Sequence, residues 1–205
     1  MTPSVSESWT RIEKWLADHA PAAHAALAPP ADSADIAAVE RVIGGPLPRA
    51  LVASLRRHDG LRGHGFTLIP GFYAPMGARG IADEWRRLQG FYDVSTEEED
   101  DAADDFMKTG FSSALYGHPR LIPIARDGTG GHLVLDHRPE PDRGRVHVVE
   151  PVEGLLRVPH EKWSSLPALM EAIAGSLETG RPLNGHTPGV NEERMLHWDF
   201  GPAAR

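Results

Sequence analysis

The chain of 205 residues contains no cysteine. This absence excludes disulfide bonds, thiol nucleophiles, and zinc or iron–sulfur sites that depend on cysteine ligands. Long apolar runs are also missing, and residues 1–15 are polar and charged where a secretory signal would be apolar. We therefore expect a cytoplasmic protein that works in solution and makes no contact with a membrane.

Basic residues are in the minority, with 21 Lys and Arg against 29 Asp and Glu, and the formal net charge is −8. Nucleic acid and anionic lipid both require clustered Lys and Arg, so neither is an expected partner. The acidity is concentrated between positions 97 and 105 in seven residues: Glu97, Glu98, Glu99, Asp100, Asp101, Asp104 and Asp105. Such a run favours a basic protein partner, although many charge runs are only solvated loops.

The sequence does contain enough apolar material for a core, with 40% hydrophobic residues, and many chain breakers, with 21 Gly and 18 Pro. This combination favours several short elements joined by turns. We expect a single domain over residues 1–180, with an acidic loop at 95–105. Residues 181–205 are expected to form a tail that docks on the body through four apolar side chains: Met195, Leu196, Trp198 and Phe200.

Five segments place apolar residues at helical spacing. The predicted helices run from Ser8 to the Ala- and Pro-rich stretch at 20–30, from Asp32 or Ser33 to Gly44, from Pro48 to His58, over 81–91, and over 163–177. The short apolar segment Phe66–Tyr73 is typical of a strand or a loop.

A β-hairpin is predicted after position 120. Leu121–Ala125 and His132–Asp136 are strand-like, and the glycine-rich segment 127–131 between them suits a tight turn. A further strand is expected over 145–150. Together these elements predict an α+β fold, with a mainly antiparallel sheet of about four to six strands that is packed by N-terminal helices and a C-terminal helix.

Two blocks of the sequence together form a family pattern. The first block consists of Ile36–Glu40, Ile43-Gly44, Leu47-Pro48, Leu51 and His58-Asp59-Gly60. The second block consists of Leu121–Ala125, Asp127-Gly128, Leu133–Asp136 and Gly144–Val146. In this order and spacing the two blocks resemble the SUKH superfamily. The resemblance covers most of the chain, and its motifs are turns, caps and core positions, not catalytic signatures. The sequence departs from the family at His132, where members often carry an acid.

The resemblance implies an α+β fold and protein–protein binding without catalysis or a cofactor. The superfamily includes Smi/Knr-type fungal regulators of cell-wall assembly and many bacterial toxin-immunity proteins. We therefore expect an intracellular immunity protein that binds and neutralises a toxin, and the acid run suits a basic toxin of the nuclease type. The alternatives are a regulatory scaffold of the cell-wall-assembly type and a metal hydrolase that uses histidine. The oligomeric state stays open.

The candidate partner contacts are acids, aromatic residues and turn motifs: His58, Asp59, Tyr73, Trp85, Glu97, Glu98, Glu99, Asp100, Asp101, Asp127 and Asp136. For His58-Asp59 and Asp127 the alternative is a local turn, because Asp before Gly commonly ends a helix or closes a hairpin. For Tyr73 and Trp85 the alternative is a place in the core.

His132, Asp136 and His137 are close enough in sequence to suggest a metal site. Strand alternation puts His132 and Asp136 on one face and His137 on the other, so at most two could share an ion. A catalytic zinc keeps three protein ligands. His160-Glu161 begins like a zinc-protease motif, but Ser164 occupies the place of the second histidine. We therefore expect no metal site.

Overall fold

The protein is described by a computed structural model, which covers residues 2–63, 66–90, 117–139, 143–150, 155–157 and 163–201. The helices in these ranges are α1 (Val5–His19), α2 (Pro21–Ala25), α3 (Ser33–Ile43), α4 (Arg49–Leu55), α5 (Ala78–Gln89) and α6 (Leu166–Thr179). The strands in the same ranges are β1 (Ala74–Pro75), β2 (Leu121–Arg126), β3 (His132–Asp136), β4 (Val146–Glu150), β5 (Leu155–Arg157), β6 (His186–Val190) and β7 (Leu196–Phe200).

The helices begin and end at residues with clear capping chemistry. Helix α1 begins earlier than predicted, because Ser4 and Glu7 form a capping box that satisfies free N–H groups of the first turn. Helix α3 is capped by Asp32 and ends at Gly44 in the left-handed conformation, as the sequence predicts. Helix α2 lies in the Ala- and Pro-rich stretch and was not predicted. No helix in the described ranges is long and apolar enough to cross a membrane.

Five strands form an antiparallel sheet in the order β1-β2-β3-β4-β5, so each strand pairs with its neighbour in the sequence. The predicted α+β class and the predicted size of the sheet are confirmed. Pro123, which has no N–H to donate, lies where the register of β2 and β3 shifts. The sequence did not predict β1 and β5, because strands of two and three residues are too short to show an alternating pattern.

The apolar core lies between one face of this sheet and the helices. Leu133 and Leu135 of β3 contribute fully buried side chains, as do Leu169 and Ile173 of α6. Helix α1 packs on α4 and α6, while α5 packs on α3 and β2. Arg11 of α1 also pairs with two carboxylates of α6, which fixes the relative position of the two helices.

The segment after α6, which was predicted as a tail, forms a hairpin of β6 and β7. Leu196 and Trp198 are buried in the main core. Phe200, in contrast, is 83% exposed. Phe200 lies at the end of β7 opposite His186, where the body no longer covers the strand.

Candidate functional site

A group of ionisable side chains lies on the face of the sheet opposite the main core. Strand β3 pairs with β4 so that Val134 is opposite His147, and Asp136 lies two residues further along the same face. This register brings His147 Nε2 to 3.0 Å from Asp136 Oδ2. Both side chains are buried, so β3 is covered on both faces. Asp136 was among the predicted contact residues, and His147 was not.

Asp136 is the centre of this group. Its side chain is 0% exposed, and its carboxylate accepts hydrogen bonds from the Arg138 backbone N–H at 2.9 Å and from Arg138 Nη2 at 2.7 Å. Burial by itself would raise the pKa of Asp136, but the hydrogen bonds from His147 and Arg138 outweigh burial and hold the pKa below its ordinary value. Asp136 is therefore a buried carboxylate that is held in its charged form.

His132, at the other end of β3, pairs with helix α5. Its Nε2 lies 2.8 Å from Glu84 Oε1, and Glu84 also pairs with Arg87 on the next turn. Burial lowers the pKa of His132, although the charge of Glu84 acts in the opposite direction. The Nδ1 atom of His132 is buried without a hydrogen-bond partner. His132 is therefore a buried imidazole with a lowered pKa that lies next to a carboxylate from a different element.

The burial of His132 predicts how stability depends on pH. Its pKa is lowered in the folded chain, so below the ordinary histidine value, about 6.5, the unfolded chain takes up a proton that the folded chain resists. The free energy of unfolding should therefore fall as the pH decreases from 7.5 to 5.5. In His132→Gln this pH dependence should be weaker, as measured by urea unfolding at several pH values. The exposed His24→Gln is the matched control, and an unchanged slope in His132→Gln would contradict the assignment.

His58 and Asp59 lie together at the end of α4, and each contacts a different part of the fold. His58 Nε2 lies 2.8 Å from Glu13 Oε1, and Nδ1 lies 2.7 Å from the carbonyl oxygen of Ala28. The carboxylate of Asp59 accepts a hydrogen bond from the Ala78 N–H at 2.6 Å, at the start of α5. The motif therefore joins α1, α4 and α5.

A small cavity lies beside His58, between α1, α4 and α6. It is lined mainly by apolar side chains, including Trp9 and Met170. Its volume is about 30 Å³, which is room for a water molecule or two. Trp9 also donates a hydrogen bond from Nε1 to Ser54 Oγ at 2.9 Å, so its one polar atom is satisfied within the wall.

The other predicted contact residues lie in different surroundings. Tyr73 is buried, and Trp85 is partly buried with its Nε1 donating to the carbonyl oxygen of Pro119 at 3.0 Å. Asp127 accepts hydrogen bonds from the N–H groups of Thr129 and Gly131, so it closes the β2–β3 turn. Glu97, Glu98, Glu99, Asp100 and Asp101 lie outside the described residues. Asp136 has no exposed surface to offer a partner while the fold is intact.

The three residues considered for a metal site do not share one. His132 pairs with Glu84, whereas Asp136 pairs with His147 and Arg138. In the part of the chain that the structure describes, no group of three or more His, Asp or Glu side chains is placed to hold an ion.

Two comparisons with known proteins find related sequences. The SMI1 / KNR4 family (SUKH-1) matches residues 30–177. The cell wall biosynthesis/cell cycle regulator smi1 of Schizosaccharomyces pombe is 28% identical over an alignment of 214 residues that covers 98% of this chain and 41% of that protein. The chain therefore spans less than half the length of this relative.

Proposed function

The chain belongs to the SMI1 / KNR4 family (SUKH-1), and from this premise we propose that it is a protein-binding domain without catalytic activity that acts as a regulatory scaffold. The main support for this proposal is that the side chains best suited to acid–base catalysis form pairs within the fold. Asp136 pairs with His147 and Arg138, and the carboxylate of Asp59 accepts a hydrogen bond from the first turn of α5. Because such pairs fix the orientation of their side chains, they support a rigid scaffold more than a reactive site.

The regulatory role is supported by the relative from Schizosaccharomyces pombe, whose name describes a regulator of cell wall biosynthesis and the cell cycle. Since the chain spans 41% of that protein, the inference concerns the shared part, which would hold a partner on its surface. We place this binding in the cytoplasm, because a chain without cysteine suits a reducing compartment.

Neutralisation of a toxin is the second candidate, and the acid run at 97–105 favours it. Seven carboxylates in nine residues account for nearly all of the net charge of −8. Such a dense charge accelerates association with a basic protein and resembles the phosphate backbone that a nuclease surface binds.

Gene deletion in the native host separates the two roles. For a regulator, we expect the deletion strain to become more sensitive to wall-degrading enzymes, and the intact gene to restore resistance. For an immunity protein, we expect normal resistance but loss of growth beside the parental strain, which carries the toxin. A matched variant with Glu97, Glu98, Glu99, Asp100 and Asp101 replaced by the corresponding amides should rescue the regulator phenotype and fail to rescue immunity. A deletion strain with neither phenotype contradicts both roles.

Direct binding is the biochemical test of the shared proposal. A partner is first recovered from the native host and purified. We expect the purified partner to bind the purified chain, as measured by calorimetry. For a charge-steered complex, the association rate should fall steeply as salt increases from 50 to about 300 mM. If no purified candidate binds and the chain instead shows turnover of a substrate, the proposed absence of catalysis is wrong.

A further inference from the structure

Three basic side chains come together at one end of the five-stranded sheet. Arg120 precedes β2, His137 follows β3, and Arg143 lies in the turn before β4. We call Arg120, His137 and Arg143 the basic corner. Arg120 and Arg143 are exposed, and His137 is partly buried. The three bases belong to separate segments of the sequence, so only the pairing of the strands gathers them.

The register of β2 and β3 puts two of these bases on one face. Ile122 is opposite Leu135 on the face that carries the core. Arg120 and His137 are each two residues nearer the end of the sheet, so they share that face. The N–H of His137 donates to the carbonyl oxygen of Arg120 at 2.8 Å, which extends the strand pairing to both residues. The backbone therefore fixes Arg120 and His137 as neighbours.

Arg143 reaches the same end of β3 through the turn before β4. The Gly144 N–H donates to the carbonyl oxygen of Asp136 at 2.8 Å, which brings the turn to the residue before His137. The charges of both arginines act on the imidazole. Burial lowers the pKa of His137, and Arg143 and Arg120 lower it further. Positive charge from three segments is therefore concentrated around one ring.

The charge of the basic corner is not neutralised within the described ranges. Neither Arg120 nor Arg143 forms an ion pair with a described residue. Asp136 raises the pKa of His137, but its effect is smaller than that of either arginine. The carboxylate of Asp136 lies on the opposite face of the sheet and already pairs with two bases. A bound anion would relieve the repulsion among the three bases.

The sign and the small extent of this charge select among the possible occupants. Nucleic acid and an anionic membrane are negative over a large area, so the net charge of −8 on the whole chain would repel them. A second copy placed by two-fold symmetry would bring the same bases against each other. A short acidic segment of a protein avoids both costs. Its carboxylates also match the fork of guanidinium N–H groups, which binds a carboxylate through two parallel hydrogen bonds.

We propose that the basic corner binds an acidic segment of a partner protein through its Asp or Glu carboxylates. Arg120 and Arg143 would pair with these carboxylates on either side of His137. The site is separate from the acid run at 97–105, which would attract bases. This inference rests on the proposed function, because it assigns a surface and a partner chemistry to the protein-binding role.

A synthetic peptide, acetyl-Gly-Asp-Glu-Asp-Gly-amide, tests the site in the full chain. It is titrated at low salt and followed by NMR of the backbone amides. We expect the amides around His137 to shift, and Arg120→Gln with Arg143→Gln to weaken binding at least about fivefold. The same two positions changed to lysine keep the charge and should retain most of the affinity. Arg126→Gln, which changes an exposed arginine at the other end of β2, should bind normally.

The pH profile of binding is a second readout. A bound carboxylate favours the charged imidazolium and so raises the pKa of His137 from its lowered value in the free chain. Binding therefore takes up a proton, and the affinity should increase as the pH falls from 8 to 6. His137→Gln should bind like the parent chain at pH 8 and lose this increase. A purely structural role of His137 would change the thermal midpoint and leave the pH profile as it was.

Several results would contradict the proposed site. The peptide acetyl-Gly-Asn-Gln-Asn-Gly-amide keeps the shape without the charge, so equal binding of the two peptides would overturn the proposal. Shifts confined to other surfaces, or self-association that the two glutamine substitutions abolish, would do the same. A natural partner that binds Arg120→Gln with Arg143→Gln normally would also overturn it but leave the proposed function standing.

Discussion

Replacing Asp136 with alanine is expected to lower the free energy of unfolding by about 3–5 kcal/mol. The substitution removes the carboxylate that the partly buried Arg138 and the buried His147 contact at 2.7 and 3.0 Å. Removal of one partner of a buried pair costs much more than the pair contributes, because the remaining charge stays out of water. Urea unfolding at pH 7 measures the loss.

The matched control for this prediction is Asp18→Ala. Asp18 also pairs with a base, since its Oδ2 lies 2.6 Å from Lys14 Nζ, but both side chains are exposed. Water replaces the lost partner there, so we expect a much smaller change. Asp136→Asn, which keeps the shape without the charge, should fall between the two. If Asp136→Ala were no more destabilising than Asp18→Ala, the buried group would not hold the sheet together.

The second large effect is expected at Gly60, which follows α4 and lies against the start of α5. Gly60 has a φ of +75°, and an added Cβ would lie 2.5 Å from the backbone N of Gly77. Gly77 N belongs to packed backbone, so it cannot move without disturbing the hydrogen bond from the Ala78 N–H to the carboxylate of Asp59. We expect Gly60→Ala to cost about 2–4 kcal/mol from left-handed strain and overpacking together, as measured by urea unfolding.

Gly44→Ala isolates the strain from the steric clash. Gly44 has a similar φ of +81°, but nothing lies within 4 Å of an added Cβ. The expected cost is therefore the strain alone, about 1 kcal/mol. Equal losses for the two variants would show that the close approach of Gly60 to Gly77 does not matter for stability.

The local elements were predictable where a short stretch of chain contains its own cause. Asp32 caps α3, and Gly44 ends it in the left-handed conformation; both effects need only neighbouring residues. The turn at Asp127 is similar, because its carboxylate bonds the N–H groups of the next few residues. The hairpin of β6 and β7 was missed because Pro188 and Gly189 lie within β6 and hide its strand pattern.

The partners of the ionisable groups could not be predicted from the sequence. Alternation placed His132 and Asp136 on one face of β3, and the structure agrees. Their partners, Glu84 and His147, come from α5 and β4, and only the packing of α5 and the register of β4 bring them there. A search of β4 for a polar residue on the face of Asp136 would have found His147, once that register was known.

The sequence by itself determined the α+β class, the main helices, the central hairpin and the uneven charge, because these depend on neighbouring residues and on composition. Tertiary structure alone decided that Asp136 is buried and that Phe72 and Phe200 are exposed beside His186. Burial depends on which distant segments cover a side chain, and the positive φ of Phe72 depends on the two hydrogen bonds between Ile69 and Tyr73. Neither quantity is encoded in a local pattern of residue types.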